Sequence, residues 1–196
     1  MGDGALKPRE QPAIMGTPKE ITILKPEAGN AWYKDTAIEF SRQQISVDMF
    51  LFPYQYMDLA ALGELAKFTA GSMHSYPMFN KEQDGPRFEA QLKSILTQKT
   101  AFESVMRIRC TKGMRITNFY GNFFIRGTDL MALPNCNHES VFGFDLAHED
   151  PNIAISHVTI QAALLYTTSE GERRIRVMTQ AVPISALLTE VIASVD

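Results

Sequence analysis

The sequence predicts two folds in tandem, an α/β segment followed by an all-β domain. Two observations carry this. Between residues 45 and 98 short apolar runs alternate with segments of 3.6-residue period, and beyond Phe102 the apolar period drops to two. An amphipathic stretch after Pro183 then predicts a return to helix.

Residues 1–30 carry Pro8, Pro12, Pro18 and Pro26 among glycines and charges. That composition is too poor in apolar groups to pack well, so loop or disorder is expected there. ISVDMFLF, from Ile45, is a partly β-branched apolar run ended by Pro53 and reads as a buried strand. In MDLAALGELAKFTAG, Leu59, Leu62, Leu65, Ala66 and Phe68 fall at helical spacing, with Asp58 placed to cap the first turn and Gly71 to stop the helix. SMHSYPMF is a second extended run, and RFEAQLKSILTQKT a second helix through Phe88, Leu92, Ile95 and Leu96. Strand, helix, strand, helix predicts a βαβ arrangement.

In VMRIRCT, Met106, Ile108 and Cys110 alternate with Arg107, Arg109 and Thr111, giving one apolar and one basic face. Lys112-Gly113 predicts a turn into RITNFYGNFFIR. SVFGFDL and VTIQAALLYTT follow, and Glu170-Gly171 turns into RRIRVMT. This half reads as antiparallel β structure up to Pro183. In ISALLTEVIASVD, Leu187, Leu188, Val191 and Ile192 share one helix face. Two α/β strands with open edges and a last helix without an evident partner lead us to expect a fragment of a larger protein.

Composition narrows the function. With 196 residues, 45% of them apolar, the chain is long enough for a packed core, and a net charge of −3 gives no general attraction to nucleic acid. Cys110 and Cys136 lie outside any CxxC pair, so neither a thiolate metal cage nor a disulfide framework is suggested and a reducing compartment fits. MGDGALKPREQP lacks a signal-peptide core, and no run approaches the roughly 20 apolar residues that span a bilayer. Membrane contact is therefore expected to be peripheral. His74, His138, His148 and His157 show no metal-ligand spacing, and Asp145, Glu149 and Asp150 around His148 lack the spacing of a calcium loop. No nucleophile elbow, phosphate loop or dinucleotide fingerprint occurs, so no catalytic residues, no metal and no enzyme are predicted.

The arginines are the informative polar residues. Arg107 and Arg109 project from one face of their predicted strand, while Arg173, Arg174 and Arg176 crowd another. Together they form a candidate carboxylate-reading patch, because guanidinium groups bind carboxylates bidentately in charge-assisted bonds roughly twice as strong as neutral ones. Cross-strand pairing with local glutamates suits the same alternation, and the residues alone leave both readings open.

The string FESVMRIRCTKGMRITNFYGNFFIRGTDL, followed by ALLYTTSEGERRIRV and a proline-ended exit into a helix, resembles the cargo-adaptor subunits of the COPII vesicle coat, the Sec-twenty-four family. GALKPRE, QQISVDMFLF, DLAAL and FTAGSMHSYPMF resemble that family in the same order, so nearly the whole chain is covered. The resemblance implies that residues 1–98 are the C-terminal part of a von Willebrand factor A-like trunk, 102–183 a β-sandwich, and 184–196 the start of a helical domain. The family's CxxC zinc site, its earlier trunk and its gelsolin-like module then lie outside this chain, and no cofactor is expected in it.

The resemblance also implies a function: an inner-layer coat component that binds sorting signals on the cytosolic tails of SNAREs and transmembrane cargo for ER-to-Golgi transport. Its implied partners are the GTPase-activating subunit of the coat and, through that subunit, the small coat GTPase. Its implied location is the cytoplasm, peripherally on the endoplasmic reticulum membrane and on COPII vesicles. Arg107 and Arg109 match arginines lining one signal pocket of the family, Leu165 matches a leucine lining it, and further arginines of that pocket belong to the earlier trunk. Two fixed guanidinium groups suit an acidic residue of a signal, and an apolar wall suits its leucine or methionine. The rivals are the GTPase-activating sister subunit, against which VMRIRCTKG and YGNFF argue, and a von Willebrand A-like adhesion module, whose DxSxS metal motif is absent.

Overall fold

A computed structural model describes residues 2–9, 11–149 and 155–193. The expectation of loop or disorder over residues 1–30 is corrected at Gly2–Gly4 and over residues 20–29, while 5–9 and 11–19 are loop and turn. Gly2–Gly4 form a 3-10 turn, and two short helices follow, α1 (Glu20–Leu24) and α2 (Pro26–Gly29). Polar tethers replace the missing apolar content. The Arg9 guanidinium donates to the carbonyls of Ile23 and Lys25, each at 2.5 Å, and of Pro26 at 3.1 Å, while its Nε donates to Asp58 at 2.6 Å. Asn30 Nδ2 donates to the Asp3 and Ala5 carbonyls, and the Tyr33 hydroxyl to that of Gly4.

The α/β segment has the predicted order. Helix α3 (Trp32–Arg42) precedes β1 (Met49–Leu51), then come α4 (Leu59–Phe68), β2 (Met73–Ser75) and α5 (Lys81–Thr97). Strands β1 and β2 pair in parallel, Met49 with Met73 and Leu51 with Ser75, and α4 is the crossover between them. Asp58 Oδ1 accepts the Ala61 N–H at 3.0 Å and caps α4. At the other end the left-handed residue is Ala70, with φ 58°, and the Gly71 N–H closes on the Ala66 carbonyl at 2.9 Å. Gly71 is needed for a different reason: a Cβ there would stand 2.0 Å from the Val47 carbonyl oxygen.

Helix α5 begins before the predicted RFEAQ segment because Asn80 accepts the N–H groups of Glu82 and Gln83, and Pro86 sits inside the helix. Phe88 of α5 meets Phe50, Phe52, Tyr76 and Phe79 edge-on, at centroid distances of 5.3–6.3 Å. That aromatic cluster fastens the helix to the parallel pair.

The second half is a sandwich. Strands β3 (Thr100–Cys110), β5 (Phe124–Arg126), β6 (Leu130–Asn137), β8 (His157–Thr167) and β9 (Arg173–Pro183) form an antiparallel sheet in the order β5-β6-β3-β8-β9. Strands β4 (Met114–Tyr120) and β7 (Gly143–His148) form a second, two-stranded sheet. Met106, Ile108, Met131 and Leu133 are buried, with Ile116, Phe119 and Phe144 of the smaller sheet packed against them. The Lys112-Gly113 turn, with Gly113 at φ 94°, passes the chain from one sheet to the other, whereas the Glu170-Gly171 turn closes a true hairpin, Thr167 facing Arg173.

Strand β6 is not among the extended runs the sequence predicts, and it carries Pro134, which argues against a central strand. It is accommodated where β3 is irregular. Pro134 and Glu103 stand between the registered pairs Phe102↔Asn135 and Ser104↔Leu133, Glu103 has φ 48°, and β3 slips by one residue against β8 between Phe102 and Val105. A final helix, α6 (Leu188–Ala193), follows Pro183, with Leu187 and Ile192 exposed.

Candidate functional site

Strand β3 runs through the middle of the larger sheet, so its alternation sorts its side chains cleanly. Met106 and Ile108 enter the sandwich core, and Arg107 and Arg109 are exposed on the opposite face. Residues directly opposite one another on paired strands point to the same side. Val105 faces Leu165, which faces Ile175; Arg107 faces Ala163, which faces Val177; Arg109 faces Gln161, which faces Thr179. Arg107, Arg109 and Leu165 thus share one face, with Leu165 diagonal to Arg107 and Leu164 turned into the core. An apolar floor of Leu165, Ala163, Ile175 and Val177 lies beside two guanidinium groups.

The five-arginine patch expected from the sequence does not form. Arg173 faces Thr167 on the outer side, but Arg174 faces Tyr166 and Arg176 faces Leu164, on the side of the core. Parity along β9 divides them. Local pairing, the alternative reading, accounts for three of these residues. Arg107 Nε donates to Asp129 Oδ2 at 2.7 Å, Arg173 donates to the Glu103 carbonyl at 2.9 Å and to Thr167 Oγ1 at 2.8 Å, and Arg174 pairs with Glu172. Arg109 makes no ion pair among the described residues and lines a cleft of about 330 Å³ with Thr128 and Asp129.

Asp129 is a residue the sequence reading missed. It closes the Gly127–Asp129 turn between β5 and β6, where Gly127 has φ 70°, and it precedes Leu130, which is registered against Arg107. The RGTD string between two apolar runs is the signal of that turn.

The other polar candidates have structural occupations. Asp145 accepts from the Tyr120 hydroxyl at 2.7 Å and from Asn118 Nδ2 at 3.0 Å, and these bonds hold its carboxyl below the usual range. Asp150, called part of the same acidic stretch, lies outside the described residues. His74 stacks on Phe50 at 5.1 Å and contacts Ser72 Oγ. Burial pushes the Cys110 and Cys136 thiols up, which keeps them protonated. No group of three His, Cys, Asp or Glu side chains is arranged to hold a metal ion among the described residues.

Comparison with known proteins places this geometry in a family. Residues 1–96 match the Sec23/Sec24 trunk domain and residues 101–185 match the Sec23/Sec24 beta-sandwich domain. The chain belongs to the Sec23/Sec24 family. Within the family, the proteins it is similar to include Sec24 proteins. It is 44% identical to protein transport protein Sec24A of Bos taurus, with 100% of this chain and 18% of that protein covered. Identity is 42% to Sec24A of Homo sapiens, over the same shares. To the SEC24 protein of Coccidioides immitis it is also 42%, covering 100% of this chain and 21% of that protein. The crystal structure of the human COPII-coat protein Sec24c superposes with a TM-score of 0.84 at 32% identity, covering 94% of this chain and 25% of the other. The architecture of trunk followed by β-sandwich is therefore the one implied by the sequence resemblance. The chain spans about a fifth of the length of the curated relatives it matches.

Proposed function

We propose that this chain is a cargo-signal-binding portion of the inner layer of the COPII coat, acting in ER-to-Golgi transport as an adaptor and not as a catalyst. The observation that carries this reading is the exposed pair Arg107 and Arg109 beside Leu165 on one sheet face of a Sec23/Sec24 family chain. The guanidinium groups receive an acidic residue of a signal, and the Leu165 row receives its leucine or methionine. On this reading residues 1–98 are the trunk portion, 102–183 the sandwich and 184–196 the opening of a helical domain. The partners are the GTPase-activating coat subunit, through it the small coat GTPase, and the cytosolic tails of SNAREs and cargo. The proposed location is peripheral, at the endoplasmic reticulum membrane and on COPII vesicles; no helix among the described residues is long and apolar enough to cross a membrane.

The test is fluorescence anisotropy with a labelled peptide carrying acidic residues and a leucine, titrated with the full chain and with an Arg107→Ala/Arg109→Ala variant. The variant should bind at least about tenfold more weakly, given the usual strength of hydrogen bonds to charged groups. Capture of the GTPase-activating subunit should be unaffected. Equal peptide binding by the two proteins refutes the assignment.

A further inference from the structure

Arg107 already holds a carboxylate. Its Nε donates to Asp129 Oδ2 at 2.7 Å, and neither side chain is buried, with 46% of Arg107 and 32% of Asp129 open to solvent. The pair is fixed from both sides. Arg107 is anchored by β3, where Leu130 is its registered neighbour on β6, and Asp129 immediately precedes Leu130 at the end of a tight turn. Asp129 and Arg109 also line one cleft, together with the core-facing Ile108, Ile116 and Phe119.

We infer that Asp129 is a built-in competitor for the arginine face, a specificity-determining residue that an acidic signal must displace from Arg107. This rests on the reading of Arg107, Arg109 and Leu165 as the signal face. A tethered carboxylate acts at an effective concentration on the order of millimolar or more, so a free acidic group of ordinary affinity does not win the site by charge alone. A signal must add contacts that Asp129 lacks: Arg109, which has no ion-pair partner among the described residues, and the apolar row of Leu165, Ala163 and Val177. Exposure of the pair keeps its own strength small, so displacement is reversible. The competitor thereby sets a threshold and makes the acidic and apolar requirements act together.

The experiment titrates the full chain, its Asp129→Asn and Asp129→Ser variants, and the Arg107→Ala/Arg109→Ala variant with the same labelled acidic, leucine-bearing peptide. A control peptide has its acidic residues replaced by amides. Circular dichroism verifies each fold. Both Asp129 variants should bind the acidic peptide about fivefold more tightly, the factor expected from losing an exposed ion pair, and the neutral peptide unchanged. Adding Arg107→Ala to Asp129→Asn should abolish the gain. If Asp129→Asn and Asp129→Ser bind no more tightly while the double arginine variant still loses binding, the competitor role is overturned and the signal face stands. If the double arginine variant binds as well as the unaltered chain, both readings fall.

Discussion

Arg9 Nε donates to Asp58 Oδ2 at 2.6 Å, while the other oxygen of the same carboxylate caps α4 through the Ala61 N–H at 3.0 Å. One side chain thus joins the N-terminal segment to the crossover helix. Because Arg9 also satisfies three backbone carbonyls, Arg9→Ala should lower unfolding stability by about 2 kcal/mol, as expected when hydrogen bonds to a charged group are lost. Asp58→Asn, which retains a capping oxygen, should be less damaging than Asp58→Ala. Urea titration of the three variants gives the order directly.

Glu103 occupies a left-handed backbone position that side chains other than glycine adopt at a cost. Its carbonyl accepts the 2.9 Å bond from Arg173, which glycine retains, and the pair its exposed carboxylate makes with the same guanidinium at 4.0 Å contributes little. Glu103→Gly should therefore stabilise the chain by about 0.5–1 kcal/mol, after the chain-entropy cost of glycine. A fall in the thermal midpoint would count against strain at the bulge.

Glu64 is 5% exposed on α4, and burial raises the pKa of its carboxyl above the ordinary glutamate range despite Lys67 nearby at 3.8 Å. A raised acid pKa means the folded state holds the proton more tightly than the unfolded chain. This group's contribution is then most favourable below the ordinary glutamate range and declines as pH rises through the raised value. Glu64→Gln should remove that decline and leave the protein at least as stable at neutral pH, measured by denaturant unfolding at pH 4.5 and about pH 7.5.

Leu165 is half-buried, between the half-buried Val105 on β3 and the exposed Ile175 on β9. Leu165→Ala should weaken a leucine-bearing acidic peptide about tenfold, the loss expected from roughly half of a leucine's burial. Its salt dependence should not change, since both arginines remain. A changed salt slope with unchanged affinity would move the leucine contact elsewhere.

Much of this molecule was readable where the determining interactions are local. The Asp58 cap, the in-and-out alternation of VMRIRC and the Glu170-Gly171 hairpin each depend on neighbours within a few residues. What escaped depends on distant partners. The helices at 20–29 rely on Arg9 and the α4 capping residue, β6 tolerates Pro134 because Glu103 on another strand departs from regular geometry, and Asp129 meets Arg107 across 22 positions of sequence. The division of Arg173 from Arg174 and Arg176 was of a different kind. It follows from strand parity, which the crowding of like charges obscured.

The extra residue in β3 has one more consequence. With Phe102 held against Thr167, uninterrupted pairing would bring Arg107 opposite Ala162 in place of Ala163, and each later residue would rotate half a turn. Both guanidinium groups would then point into the sandwich, and Met106 and Ile108 toward solvent. The bulge at Glu103 therefore acts as a phase setter. A one-residue deletion there would exchange the chemistry of the two faces without altering a single side chain of the site.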